Sequence, residues 1–327
     1  MIYTDIFEAI RTFSSQDIVL SIKDRAGTGK LVRRLSFDAL GTGKGDFVIL
    51  PRTGMNILFY RGQTDASWPA IPSTYREATP ETLMVDSIKF FDFSMILERF
   101  PQVRCARKQK VRVDTLALAQ HYGLRTDMLD LTSDVAVAAF FATTQLRNGK
   151  FVPVENGIGS ISRILILMGM MEDDENFRPV GLQPFQRPGQ QCAFGMKLTA
   201  GQTLEDFQFV QTLQFHQDRA CGQAFLELFG SGMPNSLFPQ ETIAQIGTKI
   251  RRSNIVTQAA VSAYCKEQGI SQDTVKQALE GMGISVQPKP VFDPSPRQLA
   301  QERMQVMRHG AFGGEIIFSR LAYLPGG

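Results

Sequence analysis

The sequence predicts an α+β fold, in which a mixed β-sheet of short strands has flanking helices and is followed by a mainly helical C-terminal segment. Short apolar runs bounded by Gly, Pro or Thr recur as far as Leu198, and such runs are typical of strands. Stretches with apolar residues at helical spacing lie between them. Beyond Leu204 the spacing is almost entirely helical.

The composition indicates an ordinary globular chain. Of its 327 residues, 43% are hydrophobic and 20% are charged. This length suits one large core plus a smaller module, because single cores stop growing at roughly 250–300 residues. The net charge is 35 − 32 = +3. Charge alone therefore gives no argument for binding to nucleic acid or to an anionic membrane.

Cysteine usage and the N-terminus predict a cytoplasmic protein. The four cysteines are widely spread and show no C-x-x-C spacing, which fits a reduced compartment. Asp5, Glu8 and Arg11 interrupt the apolar residues of the N-terminus, so it does not resemble a secretory signal. The longest apolar run, Ile164 to Met171, is far short of the roughly 20 residues that span a bilayer. We expect no membrane partner.

The first elements are predicted to be a helix and a strand. Ile6, Ile10 and Phe13 have helical spacing, and a β-like run follows over Ile18–Ile22. GTGK occurs at Gly27–Lys30 and at Gly41–Lys44, but neither copy has the leading Gly and trailing Ser or Thr of a nucleotide-binding loop. We interpret the two copies as turns of a hairpin.

Two strands and a helix follow. Phe47–Leu50 and Ile57–Tyr60 are predicted to pair with each other across a turn, and the second strand leads into Arg61. A helix is predicted over Pro80–Phe100, ended by Pro101.

The middle of the chain contains two helices and two strands. Thr115–Tyr122 is predicted to be a helix that Gly123 interrupts, and Val135–Thr144 a buried helix capped by Ser133 or Asp134. Ile161–Met168 has the two-sided apolar pattern of a central strand. A further strand is predicted at Phe194–Leu198.

The C-terminal third is predicted to be helical up to a Pro-rich stretch. The predicted helices are Phe207–Phe215, Ala220–Phe229, Ile243–Ile250, Ile255–Tyr264 and Thr274–Met282. Pro288–Pro296 is too rich in proline for a helix or a central strand and is interpreted as a linker or wrapping arm. Phe312–Tyr323 could form a strand or a helix.

Three groups of polar residues are candidates for chemistry. The first is Arg61-Gly62-Gln63, because an Arg at a strand end beside Gly can present its planar donors to an anion or a ribose. A buried Arg–carboxylate pair is an equally common reason for such an Arg.

The second group is Gln120-His121-Tyr122, followed by Asp130, Thr132 and Ser133. These polar residues lie between apolar stretches, so each needs a partner. A His in such a place is more often a satisfied core residue than a catalytic one. The third group is Gln190-Gln191, whose amides can bind a ribose or an amide but more often cap a turn.

Together these motifs resemble the FRG domain. The matching residues are Tyr60-Arg61-Gly62-Gln63 and the block from Ala119-Gln120-His121-Tyr122-Gly123-Leu124 to Leu129-Asp130-Leu131-Thr132, with Arg187-x-x-Gln190-Gln191 and Leu237-Phe238-Pro239 further on. The chain departs from the family pattern at Leu131 and at Gln240-Glu241.

The extent of the resemblance suggests two regions. We expect residues 1–247 to be an FRG domain with an N-terminal extension, whose core spans about 40–247. Residues 248–327 are expected to form a small helical C-terminal segment with a Pro-rich linker.

The resemblance implies an ADP-ribosyltransferase-like, NAD-binding fold. In such a fold Arg61 would bind a ribose or a phosphate of NAD, and Thr132 or Ser133 would brace the nicotinamide ribose. Gln190 or Gln191 occupies the place of an expected late carboxylate. We expect Arg61, His121 and Asp130 to be catalytic. The NAD-binding residues are expected to be Arg61, Gly62, Gln63, Gln120, Tyr122, Thr132, Ser133, Gln190 and Gln191.

Two functions follow from these expectations. One is an NAD-consuming enzyme, either an ADP-ribosyltransferase with a macromolecular acceptor or an NAD glycohydrolase, acting as a toxin or phage-defence effector without a metal. The alternative is an FRG module that senses or binds a nucleotide without catalysis. A weaker third hypothesis is DNA binding by the C-terminal helices through Lys249, Arg251 and Arg252. A packing module is more common with so narrow a basic face, so we do not expect DNA binding.

Overall fold

The computed structural model describes residues 1–13, 37–42, 45–51, 57–166, 176–312 and 318–323. Within them the chain has the predicted α+β architecture, built on a mixed seven-stranded sheet. None of the helices in these ranges is both long enough and apolar enough to cross a membrane.

The strands are short, with at most nine residues each among those described. They are β1 (Ile2–Tyr3), β2 (Phe37–Gly41), β3 (Phe47–Pro51), β4 (Ile57–Gln63), β5 (Met128–Thr132), β6 (Thr144–Arg147), β7 (Lys150–Pro153), β8 (Ile158–Ile166), β9 (Phe177–Arg178), β10 (Ala193–Lys197), β11 (Val210–His216), β12 (Ile255–Thr257), β13 (Ser285–Gln287) and β14 (Phe318–Tyr323).

The helices concentrate in the middle and in the last third of the chain. They are α1 (Ile6–Phe13), α2 (Pro80–Leu97), α3 (Pro101–Lys108), α4 (Thr115–His121), α5 (Val135–Thr143), α6 (Gln186–Gln190), α7 (Arg219–Phe229), α8 (Thr242–Arg252), α9 (Gln258–Gln268), α10 (Gln272–Gly281) and α11 (Pro296–His309). Short 3-10 turns lie at Ser73–Tyr75 and Leu204–Asp206.

The main sheet has the strand order β1-β11-β8-β4-β5-β10-β9. All its neighbours are antiparallel except β1 and β11. Strand β8 lies between β11 and β4, as its two-sided apolar pattern predicts. Strands β4 and β5 pair at Tyr60 and Thr132, which brings the Arg61 and Asp130 motifs side by side.

Two layers of apolar side chains cover the sheet. One cluster joins α1, α5 and α7 to the sheet through residues such as Ile10, Phe140 and Phe225. Helix α5 is almost entirely buried, which its continuous apolar sequence predicts. Asp134 caps it by accepting a hydrogen bond from the Ala136 backbone N–H. A second cluster contains Phe59, Phe177 and Phe194, whose rings contact one another.

Pairing corrects two of the strand predictions. Phe47–Leu50 and Ile57–Tyr60 do not pair, because β3 pairs with β2 in a separate three-stranded sheet and β4 pairs with β5 and β8. Phe207–Phe215 is not a helix either, since Val210–His216 forms β11 along seven residues of β8. Its apolar spacing fits a helix locally, but hydrogen bonding to the edge of the neighbouring strand β8 outweighs this local preference.

Two helix boundaries also differ from the predictions. α2 ends at Leu97, before the predicted Phe100, and Pro101 begins α3. Proline costs no hydrogen bond at the first position of a helix, because the backbone N–H there has no partner within the helix. Ile255–Thr257 is a strand paired with β13, and the helix begins only at Gln258, where the Thr257 hydroxyl caps it. β2 and β3 pair antiparallel on either side of the second GTGK copy, as the hairpin interpretation predicts, although Gly43 and Lys44 lie outside the described residues. Ile18–Ile22 and Gly27–Lys30 lie outside the described residues.

The C-terminal helices pack against α2. Ile88 of α2 is buried with Val256, Val261 and Leu279. The buried Asp92 carboxylate accepts hydrogen bonds from both the backbone N–H and the hydroxyl of Thr257. The division at residue 247 stays a prediction, and that position falls within α8.

Candidate functional site

A cavity of about 440 Å³ lies where β4, β5, α5 and the β6–β7 hairpin meet. Arg61 lines it together with His121 and Asp130, which lie much further along the sequence. Four of the predicted ligand-binding residues line it as well: Gly62, Gln63, Thr132 and Gln191. The tertiary structure therefore gathers most of the predicted residues into one place.

Arg61 extends from β4 toward β5. Its Nη1 donates to the backbone carbonyl of Asp130 at 2.9 Å, and its Nε is buried without a hydrogen-bond partner. No ion pair joins Arg61 to the Asp130 carboxylate within the described residues. Burial lowers the pKa of the guanidinium to about 10, although the nearby Asp130 charge opposes that shift. Arg61 is thus a partly desolvated cation that has kept donor capacity.

A chain of hydrogen bonds holds the Asp130 carboxylate. The Met128 backbone N–H donates to the Thr126 hydroxyl, which donates to Gln120 Oε1 at 2.6 Å. Gln120 Nε2 then donates to Asp130 Oδ2 at 2.9 Å. Asp130 Oδ1 is buried and has no hydrogen-bond partner. These hydrogen bonds explain why Gln120 and Thr126 accompany Asp130 in the sequence motif.

The tautomer of His121 follows from its neighbour Gln191. Gln191 Nε2 donates to the Leu237 carbonyl, so its Oε1 must accept from His121 Nδ1, which lies 3.2 Å away. His121 Nδ1 therefore carries a proton. In the neutral ring Nε2 then carries a lone pair and can only accept, and this atom is buried without a hydrogen-bond partner.

Two acceptors consequently face each other in the cavity. His121 Nε2 and Asp130 Oδ1 are 3.7 Å apart, and the His121 side chain is only 4% exposed. Burial lowers the pKa of His121, and this effect outweighs the opposing effect of the Asp130 charge. A neutral His lone pair beside a carboxylate oxygen is a place where a ligand O–H or N–H can donate.

Thr132 and Gln191 position the other groups. The Thr132 hydroxyl donates to the backbone carbonyl of Gln191 at 2.7 Å and accepts from the backbone N–H of Asp134. Gln63 Nε2 donates to the Trp68 carbonyl and so fixes the loop after β4. Gly62 has a packing role, since a Cβ there would lie 2.0 Å from the Ala138 carbonyl oxygen of α5.

Four predicted residues are not among those that line the cavity: Gln120, Tyr122, Ser133 and Gln190. Tyr122 is buried, and its hydroxyl donates to Glu241 Oε2 at 2.7 Å. The Ser133 N–H donates to the Cys192 carbonyl. Gln190 is the last residue of α6.

Arg187 holds the backbone of His121 in position through a hydrogen bond. Its guanidinium stacks on the rings of Tyr122 and Phe238, at 4.7 and 5.2 Å, and its Nη1 donates to the His121 carbonyl. Glu241, which we treated only as a departure from the family pattern, accepts from Tyr122 and from the Gln186 N–H. No local signal identifies this anchoring role, because the Glu241 side chain makes no cap hydrogen bond to α8 and both of its partners lie far away in the sequence.

The sequence also failed to predict the apolar wall of the cavity. Phe141 of α5 and Leu146 of the β6–β7 hairpin supply part of it. Arg76 lines the same cavity, and its charge contributes to lowering the pKa of Arg61. In the sequence, Arg76 follows Arg61 at a short distance, and a second Arg so near the first is the local signal for it.

The C-terminal basic residues divide between two places. Lys249 donates to the Val291 carbonyl and lies 5.6 Å from the centre of the Phe292 ring. Arg251 and Arg252 line a separate cavity with Lys89 and Arg125. In the part of the chain that the structure describes, no three His, Cys, Asp or Glu side chains are grouped as metal ligands.

Comparison with protein families supports one assignment. The family model of the FRG domain matches residues 56–150, which run from the start of β4 to the β6–β7 hairpin. This segment supplies Arg61, His121 and Asp130, whereas Gln191 lies beyond it. Searches of curated proteins and of solved structures found no match. The comparison accordingly identifies residues 56–150 as a segment similar to the FRG domain.

Proposed function

We propose that the cavity binds a nucleotide and that the protein consumes NAD. The observation that carries this proposal is the pair of partnerless acceptors, His121 Nε2 and Asp130 Oδ1, beside the buried Arg61. A ribose offers hydroxyl donors next to a phosphate, which is the complement of such a group.

The cations suit the diphosphate of a dinucleotide. Arg61 and Arg76 both line the cavity, while the whole chain carries a net charge of only +3. Guanidinium groups bind phosphate oxygens through two parallel N–H donors, and such charge-assisted bonds are stronger in a partly desolvated site.

The acceptor pair supplies a base for hydrolysis. In NAD glycohydrolysis a water oxygen bonds to C1′ of the nicotinamide ribose as the C–N glycosidic bond breaks. Nicotinamide leaves with the bonding electron pair, which neutralises its ring. The water proton passes to His121 Nε2, whose other nitrogen stays bonded to Gln191. Asp130 stabilises the resulting imidazolium and the positive charge at C1′.

The resemblance to ADP-ribosyltransferases extends the proposal to a macromolecular acceptor. In that version a nucleophile of the acceptor replaces the water, and His121 takes the proton of that nucleophile. A toxin or phage-defence effector would use either reaction to deplete NAD or to modify a target.

A second candidate function is nucleotide binding without turnover. Asp130 is the one carboxylate among the described residues that line the cavity, and Gln120 already engages one of its oxygens. A single, tightly held carboxylate is suited to recognising a ligand hydroxyl as well as to stabilising a charged transition state.

The proposal is tested by incubating the protein with NAD and measuring nicotinamide and ADP-ribose. We expect release by the unaltered chain and a loss of at least about tenfold in Arg61→Lys and Asp130→Asn, because each loses a charge-assisted contact. Arg99→Lys is the matched control, since Arg99 is 57% exposed and pairs with Asp293 away from the cavity.

The outcomes separate the two functions. Saturable binding of NAD that is recovered unchanged, also with candidate acceptor proteins present, would support binding alone. No binding and no turnover across a panel of nucleotides would overturn both functions. Equal turnover in the three variants would show that the chemistry lies elsewhere.

A further inference from the structure

Trp68 stands between two cavities. It lines the cavity of Arg61 and also a second one of about 550 Å³. Trp68 is 56% exposed and is the only tryptophan of the chain. An exposed indole at the rim of a site is a natural platform for a planar base, since stacking needs only a π-face on each partner.

The backbone around Trp68 is held in place. Its carbonyl accepts from Gln63 Nε2 at 3.0 Å, and its N–H donates to the Asp65 carbonyl. Asp65 Oδ1 accepts from both the N–H and the hydroxyl of Ser67. The Ala66 N–H is bonded to the Ile158 carbonyl of β8. The indole therefore projects from a loop with little freedom to move, which lowers the entropic cost of stacking.

Among the described residues that line the second cavity, one carries a carboxylate. Glu205 lines it with polar residues that include Ser67, Thr212 and Gln214. Among the described residues, the Glu205 carboxylate forms no ion pair and no hydrogen bond. The Glu205 charge also acts to raise the pKa of Arg61, so the two cavities are within electrostatic range of each other.

We propose that the ligand is an adenine nucleotide whose base stacks on Trp68 and whose exocyclic amine donates to Glu205. This inference rests on the proposed function, because it takes the phosphates to lie at Arg61 and Arg76 and the distal ribose at His121 and Asp130. Adenine fits because it carries an N–H donor for a carboxylate, whereas hypoxanthine presents a carbonyl oxygen at the same ring position and would repel it.

Trp68 itself reports on the proposal. With a single tryptophan, indole fluorescence excited selectively over tyrosine measures this residue alone. We expect ADP and NAD to quench it saturably and IDP to bind at least about tenfold more weakly, because one hydrogen bond to a charged group is replaced by a repulsion. Ribose 5-phosphate, which has no base, is expected to leave the fluorescence almost unchanged.

Two variants separate the contacts. Glu205→Gln should bring the ADP and IDP affinities within about threefold of each other, because a neutral amide can serve either base. Trp68→Ala, measured by calorimetry, should weaken ADP binding by roughly five- to a hundredfold, while Trp68→Phe keeps part of the affinity. Glu227→Gln is the surface control, because Glu227 is exposed and lines neither cavity.

The outcomes distinguish this inference from the proposed function. If the chain binds or hydrolyses NAD and Trp68→Ala does so equally well, the base lies elsewhere and only this inference is overturned. An unchanged ADP preference in Glu205→Gln would overturn the contact to the amine. If neither NAD nor ADP binds the unaltered chain, the proposed function fails as well.

Discussion

At the scale of single residues, partnerless polar atoms concentrate in one cavity. The described residues contain eight buried side-chain polar atoms without a hydrogen-bond partner, and three of them belong to Arg61, His121 and Asp130. Leaving such an atom unpaired costs about 1–3 kcal/mol. The proposed nucleotide would supply partners to these three atoms, while Gln120, Thr126 and Gln191 hold the side chains of Asp130 and His121 in position.

Arg61→Lys and Asp130→Asn are predicted to change stability little. Arg61 makes one hydrogen bond to a carbonyl and no ion pair with Asp130, and Asn can still accept from Gln120. We expect each variant to lose no more than about 1–2 kcal/mol of unfolding free energy. Urea denaturation measures this. Losses of about 3–5 kcal/mol in both would instead reveal a buried ion pair that sequence reasoning left open.

His121 gives a pH dependence with a definite sign. Its folded-state pKa lies below the ordinary 6.5, chiefly because of burial, so the unfolded chain binds the proton more readily. The contribution of His121 to stability is therefore complete above 6.5 and is lost as the pH falls below it.

The measurement is the unfolding free energy of the unaltered chain minus that of His121→Asn between neutral and mildly acidic pH. Asn can keep the bond to Gln191 but does not titrate. We expect the difference to shrink as the pH falls. Asp92 and Glu241, whose pKa values burial raises, act in the opposite direction but are common to both proteins. A difference that grows toward acid would mean that His121 is protonated by pairing with Asp130.

At the scale of elements, the contact between α5 and β4 builds the floor of the site. Gly62→Ala is predicted to be destabilising by about 1–3 kcal/mol or more. The new Cβ would lie 2.0 Å from the Ala138 carbonyl oxygen and 2.8 Å from the Ala142 Cβ, so the helix must move away from the strand.

Gly281→Ala is the matched control for this prediction. A Cβ at Gly281, the last residue of α10, would meet nothing within 4 Å. Alanine is a better helix former than glycine, so we expect a neutral change or a gain of up to about 1 kcal/mol. Thermal unfolding of both variants decides the matter, and similar melting temperatures would contradict the close packing of α5 on β4.

At the scale of the whole molecule, the C-terminal helices and the FRG segment share a core. Leu279→Ala is predicted to lower the unfolding free energy by about 2–5 kcal/mol, because Leu279 is fully buried with Val85 and Ile88 of α2. The transition seen by Trp68 fluorescence should move together with the loss of helical circular dichroism, since one cooperative core unfolds as a unit.

Met307→Ala provides the comparison for that experiment. Met307 lies on the exposed helix α11 and is 82% exposed, so its truncation should leave both signals unchanged. If Leu279→Ala shifts the circular dichroism but leaves the Trp68 transition in place, the C-terminal helices form an independent unit.

Local patterns predicted the elements that a strong period or a cap defines. The apolar run of α5, its Asp134 cap and the two-sided strand β8 all appear where the sequence indicates. The failures involve pairing. Val210–His216 has a spacing that fits a helix, yet it forms a strand because β8 offers it a continuous antiparallel edge. Such long-range pairing leaves no local signal.

The sequence by itself determined the α+β class, the FRG motifs and the identity of the candidate residues Arg61, His121 and Asp130, because residue chemistry and short periods are local properties. Only the tertiary structure decided that these residues share a cavity, that Tyr122 anchors Glu241 instead of facing a ligand, and that Trp68 separates two cavities. The physical reason is that partners, burial and cavity shape arise from contacts between segments that lie far apart along the chain.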